Sequence, residues 1–197
     1  MGKVTQTGAQ TPNSFEGGTA ESAATPGRPL WCRALLKAAR VQVEYRPSTL
    51  RALYEPGPLI VTCNHQSYVD GPIIALASPV PMVFGVDPEF AETDPASSTA
   101  LRWMEAAGLG RVVPVSSTKP IGLRELVKVL EKGGRVMIFP EGGIAPDGQT
   151  SAEYPGVQWM QRRTGARHIR LAIEGAYQSR VAGKAGTRWR PPIRLRF

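Results

Sequence analysis

The sequence predicts an α/β fold with a mostly parallel central sheet flanked by helices, preceded by an N-terminal amphipathic helix. Two observations lead there. Short apolar, β-branched runs such as residues 59–63 and 135–139 alternate along the chain with segments of helical periodicity, the pattern of strand–helix–strand units. Glycine and proline punctuate the joints between them. A length of 197 residues leaves room for one such domain with a sizeable core.

Taken in order, residues 1–28 are rich in Gly, Ser, Thr, Ala, Gln and Pro and nearly devoid of large apolar side chains. They cannot offset the entropy of ordering and read as a disordered lead-in to a domain spanning 29–197. Leu30, Trp31, Ala34, Leu35 and Ala38 then fall at helical spacing, with Arg33, Lys37 and Arg40 largely on the other side. This basic amphipathic helix packs on the core or lies in a lipid interface, and the sequence leaves both open. Residues 41–45 alternate like an edge strand, and 59–63 read as a buried one.

Pro72 suits the first turn of a helix through Leu76, and Pro79-Val80-Pro81 stops it. Residues 82–86 form a short strand. Residues 87–98, with four acidic residues and two prolines, read as a loop or lid. A helix over 101–107 ending at Gly108, a strand over 111–115, a helix over 121–132 stopped by Gly133-Gly134 and a strand over 135–139 follow. A helix over 154–163 and strands over 168–173 and 193–197 complete the series.

Composition removes several classes of function. Two cysteines, Cys32 and Cys63, and two histidines supply neither a disulfide framework nor a zinc site. Cys63 lies among apolar residues and reads as core. No apolar run approaches a membrane span, and no secretory leader layout is present, which places the protein in the cytoplasm. Residues 1–150 hold 14 Lys+Arg against 14 Asp+Glu, while 151–197 hold 10 against 2, so the net +8 resides in the last quarter. Such a charge suits anionic lipid, a phosphorylated substrate or simple solvation. RNA binding has only this charge behind it, with no nucleic-acid motif, so no nucleic-acid partner is expected.

The chemistry concentrates at Asn64-His65-Gln66-Ser67-Tyr68-Val69-Asp70 and Phe139-Pro140-Glu141-Gly142. A neutral imidazole takes a proton from an attacking hydroxyl when a carboxylate holds its other ring nitrogen. His65 and Asp70 can form that dyad. Five residues on an ideal helix separate side chains by about 140°, so His65 belongs in a loop and Asp70 in the following first helical turn, reaching back. Ser67 and Asp70 equally match a capping box, and an Asp before Gly-Pro is a natural cap. Both readings stand on the residues alone. His65 and Glu141 each follow a predicted strand and share the carboxyl rim of the sheet, where reactive residues of such folds gather.

These two blocks resemble the glycerolipid acyltransferases that include 1-acylglycerol-3-phosphate acyltransferase. The family's Asn-His-x4-Asp block stands here as Asn64, His65 and Asp70, and its Phe-Pro-Glu-Gly block as Phe139 to Gly142, in order and about seventy residues apart. The resemblance covers about residues 30–197 and is nearest to the acyltransferase domain of bifunctional acyltransferase/acyl-acyl-carrier-protein synthetases, where Asp-Gly and a late Glu-Gly-Ala also occur, here Asp70-Gly71 and Glu174-Gly175-Ala176. It implies acyl transfer, in phospholipid biosynthesis or remodelling, from an acyl-CoA or acyl-carrier-protein thioester to the hydroxyl of a lysophospholipid of the 1-acylglycerol-3-phosphate or lysophosphatidylethanolamine type at a membrane surface, without cofactor or metal. His65 is then the base, Asp70 its orienter, Glu141 and Gly142 part of the acceptor site, and backbone N–H groups near Gly142-Gly143 the oxyanion donors.

Departures from the family pattern matter as well. The middle block, Gly110 to Ser116, lacks its terminal Arg, Gly142 is followed by Gly143-Ile144 rather than Thr or Ser and then Arg, and the late block around Ile169 lacks its proline. Two phosphate-binding arginines are thus missing. Either Arg111, Lys119 or the basic C-terminal region substitutes, of which Arg111 is assigned as a substrate-binding residue, or the acceptor is not a phosphomonoester. The alternative implied is a domain of the same fold that binds lipid or acyl-carrier protein without catalysis.

Overall fold

A seven-stranded sheet in the order β1-β7-β6-β2-β5-β3-β4 organises the molecule. The structure, a computed structural model, describes residues 27–87, 95–116, 121–149 and 152–197, with backbone alone at 95–98. The expected disordered segment, apart from its last two residues, the acidic stretch at 88–94 and Lys119 lie outside the described residues.

The strands are β1 (Val41–Glu44), β2 (Leu59–Cys63), β3 (Met82–Val86), β4 (Gly110–Pro114), β5 (Arg135–Ile138), β6 (Arg167–Glu174) and β7 (Ile193–Arg196). All neighbouring pairs run parallel except β6 with β7. The central position of β2 follows from its composition: five consecutive residues are buried, which only a strand covered on both faces allows. The alternating β1 is indeed at an edge.

Six helices are described: α1 (Leu30–Ala38), α2 (Pro47–Tyr54), α3 (Asp70–Ala77), α4 (Pro95–Ala106), α5 (Ile121–Glu131) and α6 (Gly156–Thr164). One face of the sheet, through Val61, Cys63, Phe84 and Leu171, packs against α1, α3 and α4. The other, through Ile60, Val113 and Val136, packs against Leu126 and Leu130 of α5 and Val157 and Met160 of α6. Gly133 at φ 76° ends α5, its N–H donating to the Leu130 carbonyl at 2.8 Å, as the glycine pair predicts.

Three sequence expectations are corrected. Residues 46–58 carry no element predicted from sequence, yet α2 occupies 47–54, with Pro47 pre-shaped for its first turn and Thr49 and Leu53 buried. Its buried face is only Thr49 and Leu53, too short to leave a helical apolar period in the sequence. Residues 95–98, read as the end of a loop, open α4, for which Pro95 likewise suits the first turn. The helix expected from residue 154 starts at Gly156, because the Tyr154 N–H is drawn to the Pro140 carbonyl at 2.8 Å.

α1 is where expected, but its apolar stripe does not face the core. Leu30, Trp31, Ala34, Leu35 and Ala38 are all exposed, while Cys32 and Leu36 are buried. At about 100° per residue the helix divides into a buried sector, a basic sector and an exposed apolar sector. Trp31 meets the exposed Trp103 of α4 edge to face, ring centroids 5.7 Å apart.

Candidate active site

The sheet's own topology makes a crevice between β2 and β5. From β2 the chain crosses by α3 over one face toward β3, and from β5 by α6 over the opposite face toward β6. Strands whose connections diverge in this way part at their carboxyl ends. There the two sequence blocks emerge side by side, since Thr62 pairs with Ile138 on the adjacent strand.

His65 lies in the loop after β2, and Asp70 is the first residue of α3. His65 Nδ1 and Asp70 Oδ2 are 3.0 Å apart, with Asp70 fully buried and the His65 side chain 18% exposed. The same Oδ2 accepts the Gln66 N–H at 2.6 Å and the Ser67 N–H at 2.8 Å, and Oδ1 accepts the Ser67 hydroxyl at 2.6 Å. The expected cap does not form, since Val69 is the N-cap of α3 and no side chain caps it; the Asp70 carboxylate instead folds the preceding loop and meets the imidazole with the same group. Burial makes these bonds strong in the low local dielectric.

Three further contacts position His65, and two of them involve residues to which sequence reasoning gave no role. The Asn64 side chain spans to β6, Nδ2 donating to the Ile173 carbonyl and Oδ1 accepting the Ile173 N–H, both at 2.8 Å. In this way a side chain continues the β2–β6 ladder by one rung. Phe139 stacks on the imidazole, centroids 4.0 Å apart and planes within 13°. The signal for both was their presence inside the motifs. The third contact is the His65 carbonyl, which accepts the Ala145 N–H at 2.9 Å and ties the loop to the segment after Gly142.

Glu141 is buried beside this crevice. Gly142 takes φ 65°, and its N–H donates to the Phe139 carbonyl at 3.3 Å, so among the expected oxyanion donors this one is already engaged in the turn. A cavity of about 290 Å3 opens behind the loop, lined among others by Asn64, Gln66, Glu141, Arg170 and Glu174. His65 does not line it. Burial, followed by the nearby Asp70 charge, raises the Cys63 thiol well above its ordinary value, which keeps it a neutral core residue. No cluster of residues suited to a metal ion occurs among the described residues.

Arg111 is not brought to this site. It pairs with Val83 on the edge strand β4, level with Val136 and Ile60, near the amino ends of the strands. Five residues along β2 and three strand spacings across put it on the order of 20 Å from His65. Arg111 therefore does not reach a phosphate held beside His65, because parallel strands begin at one end of the sheet and the two blocks leave it at the other. Residues 42–178 match the acyltransferase family.

The chain belongs to that family. The acyltransferase fold here is also similar to the crystal structure of the 1-acyl-sn-glycerophosphate (LPA) acyltransferase PlsC from Thermotoga maritima, with a TM-score of 0.57 and 21% identity. The match covers 85% of this chain and 64% of that one, so the acyltransferase spans a little under two-thirds of its length.

Proposed function

We propose that this acyltransferase moves a fatty acyl group from an acyl-CoA or acyl-carrier-protein thioester to the hydroxyl of a lysophospholipid, with His65 and Asp70 as the dyad. The observation that carries the reading is the 3.0 Å contact of His65 Nδ1 with a buried carboxylate. With Nδ1–H donating to Asp70, Nε2 is the ring's acceptor and can take the proton of the acceptor hydroxyl. The oxygen attacks the thioester carbonyl, and the tetrahedral intermediate collapses with expulsion of the thiolate. The imidazolium returns its proton to that sulfur. No covalent acyl-enzyme is required, and Asp70 stabilises the transient positive charge on His65.

The finer resemblance to the acyltransferase domain of bifunctional proteins rests on Asp70-Gly71 and Glu174-Gly175-Ala176 and is part of this proposal. So is a peripheral position on the cytoplasmic membrane face. Among the described residues no helix is long and apolar enough to cross a membrane. The exposed sector of α1, with Leu30, Trp31 and Leu35, joins Trp103 in an apolar, aromatic surface flanked by Arg33 and Lys37. That combination suits an anionic lipid interface.

His65→Ala tests the chemistry directly. Thiol release from acyl donor in the presence of lysophospholipid is expected to fall by about 10²–10⁴-fold. Turnover near that of the parent protein would eliminate the dyad. Unaltered lysolipid binding by a parent protein that releases no thiol would instead support a binding domain without catalysis.

A further inference from the structure

The connection between β6 and β7 carries cations that the rest of the chain does not neutralise. Arg180, Lys184 and Arg188 are all exposed there, and among the described residues none of them pairs with a carboxylate. The arginines of the flanking strands behave differently: Arg170, Arg194 and Arg196 each meet a glutamate. Trp189 stands among the unpaired cations, 64% exposed, with the Arg180 guanidinium 5.0 Å from its ring centroid. Arg190 is drawn away from them and donates to the Ala38 carbonyl.

The loop is tightly built. The Ser179 hydroxyl accepts the Val181 and Ala182 N–H groups at 3.3 and 3.2 Å, the Arg180 N–H donates to the Arg188 carbonyl at 2.8 Å, and the Arg188 N–H to the Gln178 carbonyl at 2.9 Å. Arg180 and Arg188 therefore start side by side. A Cβ on Gly186 would come 2.3 Å from the Ser179 carbonyl oxygen, so only glycine lets the two sides close this far. Like charges fixed together repel, and a bound anion relieves that repulsion. The loop also touches the loop that carries the base, since the Tyr68 N–H donates to the Ala182 carbonyl at 2.9 Å. From Arg180 to His65 the path is two residues, this hydrogen bond and three residues, a span of no more than about 25 Å between Cα atoms.

We propose that this loop holds the nucleotide end of the acyl donor, the 3′-phosphorylated ADP of coenzyme A. The assignment rests on the acyl-transfer reading above and gives the donor an anchoring site. Arg180, Arg188 and Lys184 donate to the 3′-phosphate and the diphosphate as charge-assisted partners. The adenine stacks on the exposed indole of Trp189. The pantetheine arm, with its two amide units, is about as long as five extended residues, or ~17 Å, which with the lengths of the Arg180 and His65 side chains covers the span to the base. An acidic protein would supply carboxylates but no base for the indole. A bilayer finds its apolar contact on α1, over one face of the sheet, whereas this loop stands at the rim where β6 ends, with Arg194 opposite Glu174.

The test titrates the full chain calorimetrically with coenzyme A, dephospho-coenzyme A, which lacks the 3′-phosphate, and 4′-phosphopantetheine, which lacks the nucleotide. Coenzyme A is expected to bind at least about tenfold tighter than dephospho-coenzyme A, one charge-assisted anchor apart, and 4′-phosphopantetheine more weakly still. Arg180→Ser combined with Arg188→Ser lowers coenzyme A affinity by at least about tenfold and removes most of the preference for the 3′-phosphate, with a thermal melt to verify the fold. Trp189→Leu weakens coenzyme A several-fold and 4′-phosphopantetheine hardly at all. Equal affinities for the three ligands overturn the assignment. So does a double variant that binds coenzyme A as the parent does, including one that has lost only its binding to anionic vesicles or to an acyl-carrier protein. Because binding needs no turnover, the two readings fail separately. Thiol release with loop-independent coenzyme A binding removes this site alone, and loop-dependent coenzyme A binding without thiol release to any lysophospholipid upholds the site while the acyl-transfer reading falls.

Discussion

At the scale of single residues, the site is a loop folded around one carboxylate. Asp70 meets two backbone N–H groups, one hydroxyl and the imidazole, so the group that shapes the loop also holds His65. The helix cap that the sequence also allowed does not form, because Val69 is the N-cap of α3 and the carboxylate turns back to the loop before it. Gly142 shows the opposite economy, a residue needed for lacking a side chain. It sits at φ 65°, and a Cβ there would come 2.5 Å from the Tyr154 ring. Tyr154 is 58% exposed and can swing aside, so the backbone penalty is what remains in Gly142→Ala. That penalty is about 1–2 kcal/mol. A melting temperature lower by about 2–8 °C is expected, together with reduced thiol release as the Glu141 turn shifts. An unchanged melt would show that the turn relaxes without strain.

At the scale of elements, two central strands are joined by side chains as well as by their ladder. Thr62 Oγ1 and His168 Nε2 are 2.8 Å apart across β2 and β6, and two residues further on Asn64 adds its rung to Ile173. Burial first, and then the Arg170 charge, lower the His168 pKa below its ordinary value of 6.5. The unfolded chain therefore binds this proton before the folded one as the pH falls. Stability from neutral His168 is fully present above about pH 6.5 and is lost as acid drives protonation of the folded state. Denaturant midpoints measured from pH 7.5 down to 5 are expected to fall less steeply in His168→Gln than in the parent. Parallel curves would assign the acid sensitivity elsewhere.

At the scale of the whole molecule, the C-terminal charge and the N-terminal helix both change meaning. Arg163, Arg167, Arg170, Arg194 and Arg196 each pair with a carboxylate elsewhere in the chain, so much of the basic excess fastens the sheet and its helices. Exposed pairs of this kind contribute little stability each. The exposed apolar and aromatic surface, for which a lipid interface is proposed, lies instead on α1 and α4. Replacing Leu30, Trp31 and Leu35 together by serine is expected to reduce partitioning onto anionic vesicles by at least about tenfold, since each large apolar side chain contributes about 1.5–3 kcal/mol when fully buried. Sedimentation with vesicles measures it, and equal partitioning of parent and variant would remove α1 from the interface. By itself the sequence determined the α/β class, most strand and helix positions and the His65–Asp70 and Glu141 blocks, because periodicity, punctuation and motif spacing are local properties. Only the tertiary structure decided that Arg111 stands at the wrong end of the sheet, that the α1 stripe faces outward, and that Phe139, Asn64 and the Gln66 recess surround the dyad. Those outcomes depend on strand order and on which face each crossover takes, and long-range pairing of this kind leaves no mark in the spacing of residues along the chain.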